Sequence, residues 1–282
     1  MNEQALSAFI DAALAEDIGS GDHSTLACIP AGEQGKAVLK IKEDGVLAGM
    51  EVAAAIFSRL DPQSVFTPFK QDGDDMKAGD NAFEVSATVH ALLSGERLAL
   101  NCMQRMSGIA TLTRTYTNKL KGYHTRILDT RKTTPNFRML EKEAVRIGGG
   151  VNHRMGLYDM VMLKDNHIDF AGGITAAVNR TIAYLSKNSL PLQIEVETRT
   201  LADVEEVLKV GNVHRIMLDN YPPSLITEAL ALIKGRFETE ASGGITLTNL
   251  EEYAKTGVDF ISVGAIIHHA VSLDLSLKAV TP

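Results

Sequence analysis

The chain has 282 residues, 45% hydrophobic and 22% charged, with 28 Lys and Arg against 35 Asp and Glu for a net charge of −7. This balance excludes a disordered chain and weighs against a nucleic-acid partner, and no apolar run reaches the ~18 residues of a membrane span. Two cysteines, Cys28 and Cys102, are too few for a disulfide framework or a cysteine-rich zinc site; with an N-terminus that lacks a basic-then-apolar leader pattern, they point to a reducing, cytoplasmic setting.

The first third reads as mixed α and β. Ala5, Leu6, Phe9, Ile10, Ala13 and Leu14 form a helical stripe over Glu3–Glu16. Ala37–Ile41 reads as a strand, Asp44-Gly45 as a turn, Val46–Ala48 as a second strand and Val52–Leu60 as a helix. Phe83–Val89 alternates like a strand. A long helix follows over Leu92–Leu120, with an interruption predicted at Ser107-Gly108.

From Arg126 the pattern is regular. Short apolar runs at 126–129, 160–164, 192–197, 215–219, 237–242 and 260–264 alternate with helical patterns at 135–147, 174–185, 201–210, 223–233 and 247–255. Strand–helix alternation with short loops predicts a parallel sheet, and six units favour a closed α/β barrel over an open sheet.

Each run ends in polar residues or glycine. These are Asp129 with Arg131 and Lys132, then Lys164-Asp165-Asn166-His167, Glu197, Asp219-Asn220, Ser242-Gly243-Gly244 and Gly264. Parallel strands gather their C-terminal ends at one place in either topology, and ligands bind there. Exposed loops account for one polar strand end; six in succession point to a site. The acidic total also hides an asymmetry, because Lys121–Asp165 carries nine Lys and Arg against five Asp and Glu, a local +4. Arg131, Lys132, His153, Arg154 and Lys164 form a cation set suited to a small molecule bearing several carboxylates or phosphates. Glu197 and Asp219 suit sugar hydroxyls or a hydrated Mg²⁺, or serve as an acid/base pair. Glu195 and Glu197 share one strand face, and an ion pair with a neighbouring cation accounts for one of them equally well. His167, His268 and His269 lack zinc spacing. Cys102 reads as core, and Gly148-Gly149-Gly150 as a flexible hinge.

At these residues the sequence resembles the quinolinate phosphoribosyltransferase family, and the resemblance runs essentially end to end. It is carried by "LAEDIGSGDHST" (14–25), "SGERLALNCMQRMSGIAT" (94–111), "DTRKTTPNFRMLEKEAVRIGGGVNHRMGLYD" (129–159), "KDNHI" (164–168), "IEVET" (194–198), "IMLDN" (216–220), "EASGGI" (240–245) and "ISVGA" (261–265).

The resemblance implies an N-terminal α/β sandwich domain (1–112, joined by a C-terminal tail, 270–282) and a C-terminal incomplete, TIM-like α/β barrel (113–269) of about seven strands. The missing strand is expected near 169–174 or before Arg126. The implied enzyme is a pentosyltransferase of NAD biosynthesis that converts quinolinate and phosphoribosyl pyrophosphate to nicotinate mononucleotide, pyrophosphate and CO₂. Arg131, His153, Arg154 and Lys164 would hold quinolinate, with Arg97 reaching in from a neighbouring subunit. Lys132, Glu197, Asp219, Ser242, Gly243, Gly244, Gly264 and Ala265 would hold phosphoribosyl pyrophosphate. Lys132, Lys164, Glu197 and Asp219 would carry the chemistry. Mg²⁺ would arrive with the diphosphate, near Asp165, Glu197 and Asp219, without a site made only of protein ligands. A homodimer, or a hexamer as a trimer of dimers, is implied, with no nucleic-acid or membrane partner. Two rival readings stay open: transfer to another aromatic acid such as nicotinate, and a non-catalytic relative that binds an anion.

Overall fold

A computed structural model describes residues 1–280; the last two residues of the expected tail, 281–282, lie outside the described residues. Its strands, in chain order, are β1 (Gln34–Ile41), β2 (Gly45–Val46), β3 (Val65–Pro68), β4 (Asp75–Met76), β5 (Asn81–Thr88), β6 (Arg126–Leu128), β7 (Val161–Leu163), β8 (Ile194–Thr198), β9 (Arg215–Asp219), β10 (Glu238–Ser242), β11 (Phe260–Ser262) and β12 (Leu275–Ala279). The chain divides into two compact units. Met1–Arg114, Thr133–Gly149 and the segment from Ile267 onward form the first; Thr115–Lys132 and Gly150–Ile266 form the second.

The first unit is built on an antiparallel sheet of order β12-β1-β5-β3. Alternation along β5 buries Phe83, Val85 and Ala87 on one face. Phe57, from the helix Met50–Leu60, meets Phe83 edge-on with ring centres 6.4 Å apart. The N-terminal helix, Glu3–Ile18, starts where Asn2 accepts the Ala5 N–H at 3.0 Å, and it buries Leu6, Ile10 and Leu14 at four-residue spacing. The Val89–Lys119 helix is continuous, so no break occurs at Ser107-Gly108. Packing explains that pair. Ser107 Oγ accepts the Ala48 N–H at 3.0 Å, and a Cβ on Gly108 would overlap the Val271 carbonyl. In the segment Gly148-Gly149-Gly150, Gly148 caps the helix Arg138–Ile147, and a Cβ there would press on the Ala110 carbonyl and Thr113.

The second unit is a parallel sheet of order β6-β11-β10-β9-β8-β7. Its two edge strands, β6 and β7, follow one another in the chain, so the order is that of a barrel left open between them. The expected seventh strand is neither at 169–174, which closes the helix Asp165–Ala171 and opens the next, nor before Arg126. It is reduced to a single bridge at Val151. Val151 donates to Ile127 O at 2.8 Å, and Asp129 donates to Val151 O at 3.1 Å. Helices Asp165–Ala171, Ile174–Lys187, Leu201–Val210 and Pro223–Ile233 pack in succession around the outside. No helix among the described residues is long and apolar enough to cross a membrane.

Two predictions follow from this packing. Gly108→Ala lowers stability by ~1–3 kcal/mol, because backbone must shift to admit a methyl group; chemical denaturation checks it. Cys102 is buried in the apolar interior, which pushes its thiol up to about 12, while Cys28 is exposed. A thiol reagent at neutral pH therefore titrates one cysteine in the folded protein and two in denaturant.

Candidate active site

The C-terminal ends of the barrel strands surround a cavity of about 520 Å³. Its lining comprises Asp129, Thr130, Arg131, Lys132, His153, Arg154, Met162, Lys164, Asp165, Glu197, Met217, Asp219, Glu240, Ser242 and Ser262. Each site residue owes its place to a strand. Asp129 follows β6, and His153 and Arg154 follow the Val151 bridge. Lys164 and Asp165 follow β7, and Glu197, Asp219 and Ser242 end β8, β9 and β10. Thus eight residues singled out from the sequence as substrate-binding or catalytic line one cavity: Arg131, Lys132, His153, Arg154, Lys164, Glu197, Asp219 and Ser242.

Others lie elsewhere. Arg97 is exposed on the long helix of the first unit. Gly243, Gly244, Gly264 and Ala265 do not line the cavity, although the first two follow β10 directly. Gly243 has a left-handed backbone (φ 97°), and a Cβ there would overlap the Asn220 side chain, whose Nδ2 donates to Asp219 Oδ2 at 2.7 Å. The glycine therefore makes room for the residue that orients Asp219. The Lys164-Asp165-Asn166-His167 segment is the start of a helix rather than a loop; His167 Nδ1 accepts the Lys164 N–H at 3.1 Å.

Arg154 is half-buried. Its Nη1 donates to Met160 O at 3.1 Å. Burial and the charge of Arg131 together hold its guanidinium below the ordinary arginine range, so two cations crowd one region. On the acidic side, burial pushes the Glu197 carboxyl up, and the nearby charges of Asp219 and Asp165 push the same way. Its oxygen takes only a long contact from the Asp165 N–H, at 3.4 Å. A half-buried carboxylate beside two others is a hard-oxygen set that fits a partly hydrated Mg²⁺.

In the layer beneath, sequence reasoning reached Glu195 as a candidate ion-pair partner but passed over Glu240 and Arg215. Strand residues two apart share a face, so Glu195, Met217 and Glu240 sit one step deeper than Glu197, Asp219 and Ser242. Glu195 and Glu240 are fully buried, and His153 Nε2 lies 2.8 Å from Glu195 and 3.3 Å from Glu240. His153 Nδ1 lies 2.6 Å from the Arg154 N, and Asp129 Oδ1 accepts the His153 backbone N–H at 2.8 Å. Burial works against a charged His153 ring, but the two glutamates outweigh it and push the ring up to about 9. Burial and the Glu240 charge push Glu195 up to about 7. The signal available in the sequence was the alternation of acids in Ile194–Thr198 and in Glu238–Ser242.

A larger groove, about 630 Å³, lies on the first unit between Gly35, Val89, Leu92 and Leu277. It is mainly aliphatic and gathers no comparable set of charged groups, so the barrel cavity is the chemically competent one.

Comparison with known proteins agrees with this geometry. The family model described as the N-terminal domain of quinolinate phosphoribosyl transferase matches residues 22–107, and the C-terminal domain model matches 109–278. The chain is 45% identical to quinolinate phosphoribosyltransferase (decarboxylating) 1b of Nicotiana tabacum, over 97% of this chain and 82% of that protein. It is 46% identical to a probable nicotinate-nucleotide pyrophosphorylase (carboxylating) of Synechocystis, over 95% of this chain and 90% of that protein. The crystal structure of NadC from Streptococcus pyogenes superposes with a TM-score of 0.91 at 40% identity, covering 100% of this chain and 99% of that one.

The buried histidine predicts a pH dependence. A group raised from 6.5 to about 9 contributes stability that is fully present below pH 6.5 and lost as pH rises through about 9. Glu195, raised from 4.5 to about 7, has the same sign over a lower range. Unfolding free energy measured by denaturant therefore falls between pH 6.5 and 9, and His153→Gln flattens that segment.

Proposed function

Because the chain belongs to the quinolinate phosphoribosyltransferase family, we propose that it transfers the phosphoribosyl group of phosphoribosyl pyrophosphate to quinolinate. The products are nicotinate mononucleotide, pyrophosphate and CO₂, a step of NAD biosynthesis. One observation carries the reading: a single cavity holds Arg131, Lys132, Arg154 and Lys164 together with Glu197 and Asp219. Cations for a dicarboxylate and a diphosphate thus share a chamber with carboxylates for ribose hydroxyls.

Both substrates are anions and repel in water. Arg131, Arg154 and Lys164, with His153 between them in the floor, offset that repulsion on the quinolinate side, and Lys132 does so for the diphosphate. Holding the two in reacting geometry contributes on the order of 7–11 kcal/mol. The pyridine nitrogen then forms a bond to the anomeric carbon as the bond to pyrophosphate breaks. Glu197 and Asp219 orient the ribose hydroxyls and stabilise the positive charge that develops on the sugar. Ser242 lines the cavity at the end of β10, and the family resemblance supports Gly243 and Gly244 beside it, with Gly264 and Ala265 after β11, as further contacts of phosphoribosyl pyrophosphate at the cavity margin. Mg²⁺ held by Glu197 and Asp219, with Asp165 nearby, would neutralise the departing diphosphate. The pyridinium ring, now cationic, accepts the electron pair of the adjacent carboxylate as CO₂ leaves, and the ring carbon then takes a proton. The cation facing that carboxylate must grip it less in the transition state than a uniform binder would.

The family resemblance further supports a homodimer, or a hexamer built as a trimer of dimers, in which Arg97 of the partner subunit completes the quinolinate site. It also supports the division into a covering domain (1–112 with the tail) and a catalytic barrel (113–269). Two free cysteines fit a reducing, cytoplasmic setting.

Quinolinate labelled in the carboxylate beside the nitrogen tests the reaction. Label leaves as CO₂ only when phosphoribosyl pyrophosphate is present, and nicotinate is not consumed. Label retained, or nicotinate turned over at a similar rate, would refute the assignment. Lys132→Ala and Arg154→Ala each lower kcat/KM at least about 100-fold with the unfolding midpoint little changed, since each removes a charge from the cavity wall rather than the core.

A further inference from the structure

The layer of side chains directly beneath the cavity is ionic, whereas the interior of such barrels is ordinarily aliphatic. Glu195 from β8 and Glu240 from β10 both face His153 Nε2, at 2.8 and 3.3 Å. Arg215, the register partner of Glu195 on β9, brings Nη1 to 3.4 Å from Glu240. Its Nη2 lies 2.9 Å from Glu238, and the guanidinium stacks over the Phe260 ring at 4.5 Å. Ion pairs with two carboxylates therefore hold the ring from below at Nε2, and Nδ1 lies 2.6 Å from the Arg154 N on the other side.

Such a cluster is a poor source of stability. Desolvating the two glutamates and the arginine offsets most of their mutual attraction, and an aliphatic layer of equal volume would serve the core as well. What the cluster provides and aliphatic packing does not is placement. Two carboxylates on different strands fix the place of the imidazolium between them.

We propose that Glu195, Glu240 and Arg215 are positioning residues for the dicarboxylate substrate, which act by holding the His153 imidazole in place at the cavity wall. The inference rests on the assignment of that cavity to quinolinate. Glu195 is fully buried and does not line the cavity, so its influence on substrate passes through the ring.

The test is Glu195→Gln, which removes the charge, preserves the shape and leaves the cavity lining intact. In steady-state kinetics, the KM for quinolinate rises about tenfold in Glu195→Gln, while the KM for phosphoribosyl pyrophosphate stays within about twofold. In a His153→Ala background the same substitution has no further effect, because the ring that transmits it is gone. An unchanged quinolinate KM, an equal rise in both KM values, or effects that multiply in the double variant would overturn the inference. Calorimetric titration with quinolinate alone reads the same difference without turnover. A parent chain that binds quinolinate without reacting would thus overturn the proposed reaction and leave this inference to stand or fall on the titration; a parent that does not bind quinolinate overturns both.

Discussion

The pleat of a β-strand is the constraint on which the second unit depends. Because side chains alternate, a strand that ends with a functional group aimed at the barrel axis must also aim the residue two positions earlier at the axis. Glu197 therefore brings Glu195 with it, Asp219 brings Met217 and Arg215, and Ser242 brings Glu240 and Glu238. The cavity and the ionic layer under it are two rows of one pattern. Buried acids in the deeper row need counter-charges from neighbouring strands, and Arg215 and His153 supply them.

Charge is handled in the same local fashion. A chain of net charge −7 would repel a dicarboxylate and a diphosphate if its charge were evenly spread. The cations that line the cavity instead come from the segment between Lys121 and Asp165, which contains β6, the Val151 bridge and β7. The carboxylates Glu197 and Asp219 come from the neighbouring strands β8 and β9. Sequence order around the barrel thus becomes spatial order in the cavity, with cations contributed early in the unit and acids later.

Much of this was legible in the sequence because it depends on short-range periodicity. All six barrel strands were read from apolar runs ending in polar residues, and six of the site residues followed from those ends, while His153 and Arg154 came from the local excess of cations. What escaped was set by tertiary contact. Ser107-Gly108 reads as a helix break by propensity, yet it serves close approach to Ala48 and Val271. The seventh strand cannot be found by pattern, because a single bridge at Val151 has no alternation to detect. The helix after β7 was hidden by a polar start, Asp165-Asn166-His167, that looks like a loop until His167 is seen to accept the Lys164 N–H. Glu195 and Glu240 were visible as acids on a strand, but the sequence alone does not show that both meet one histidine.

The crowding of Arg131 and Arg154 bears on which acid the cavity prefers. Burial and the charge of Arg131 hold the Arg154 guanidinium below the ordinary arginine range. A bound carboxylate relieves that repulsion. In the proposed site a dicarboxylate would place two negative charges among Arg131, Arg154 and Lys164, and a monocarboxylate one. On that reading, discrimination between quinolinate and nicotinate follows from the charge of the bound acid and needs no steric barrier against the smaller one.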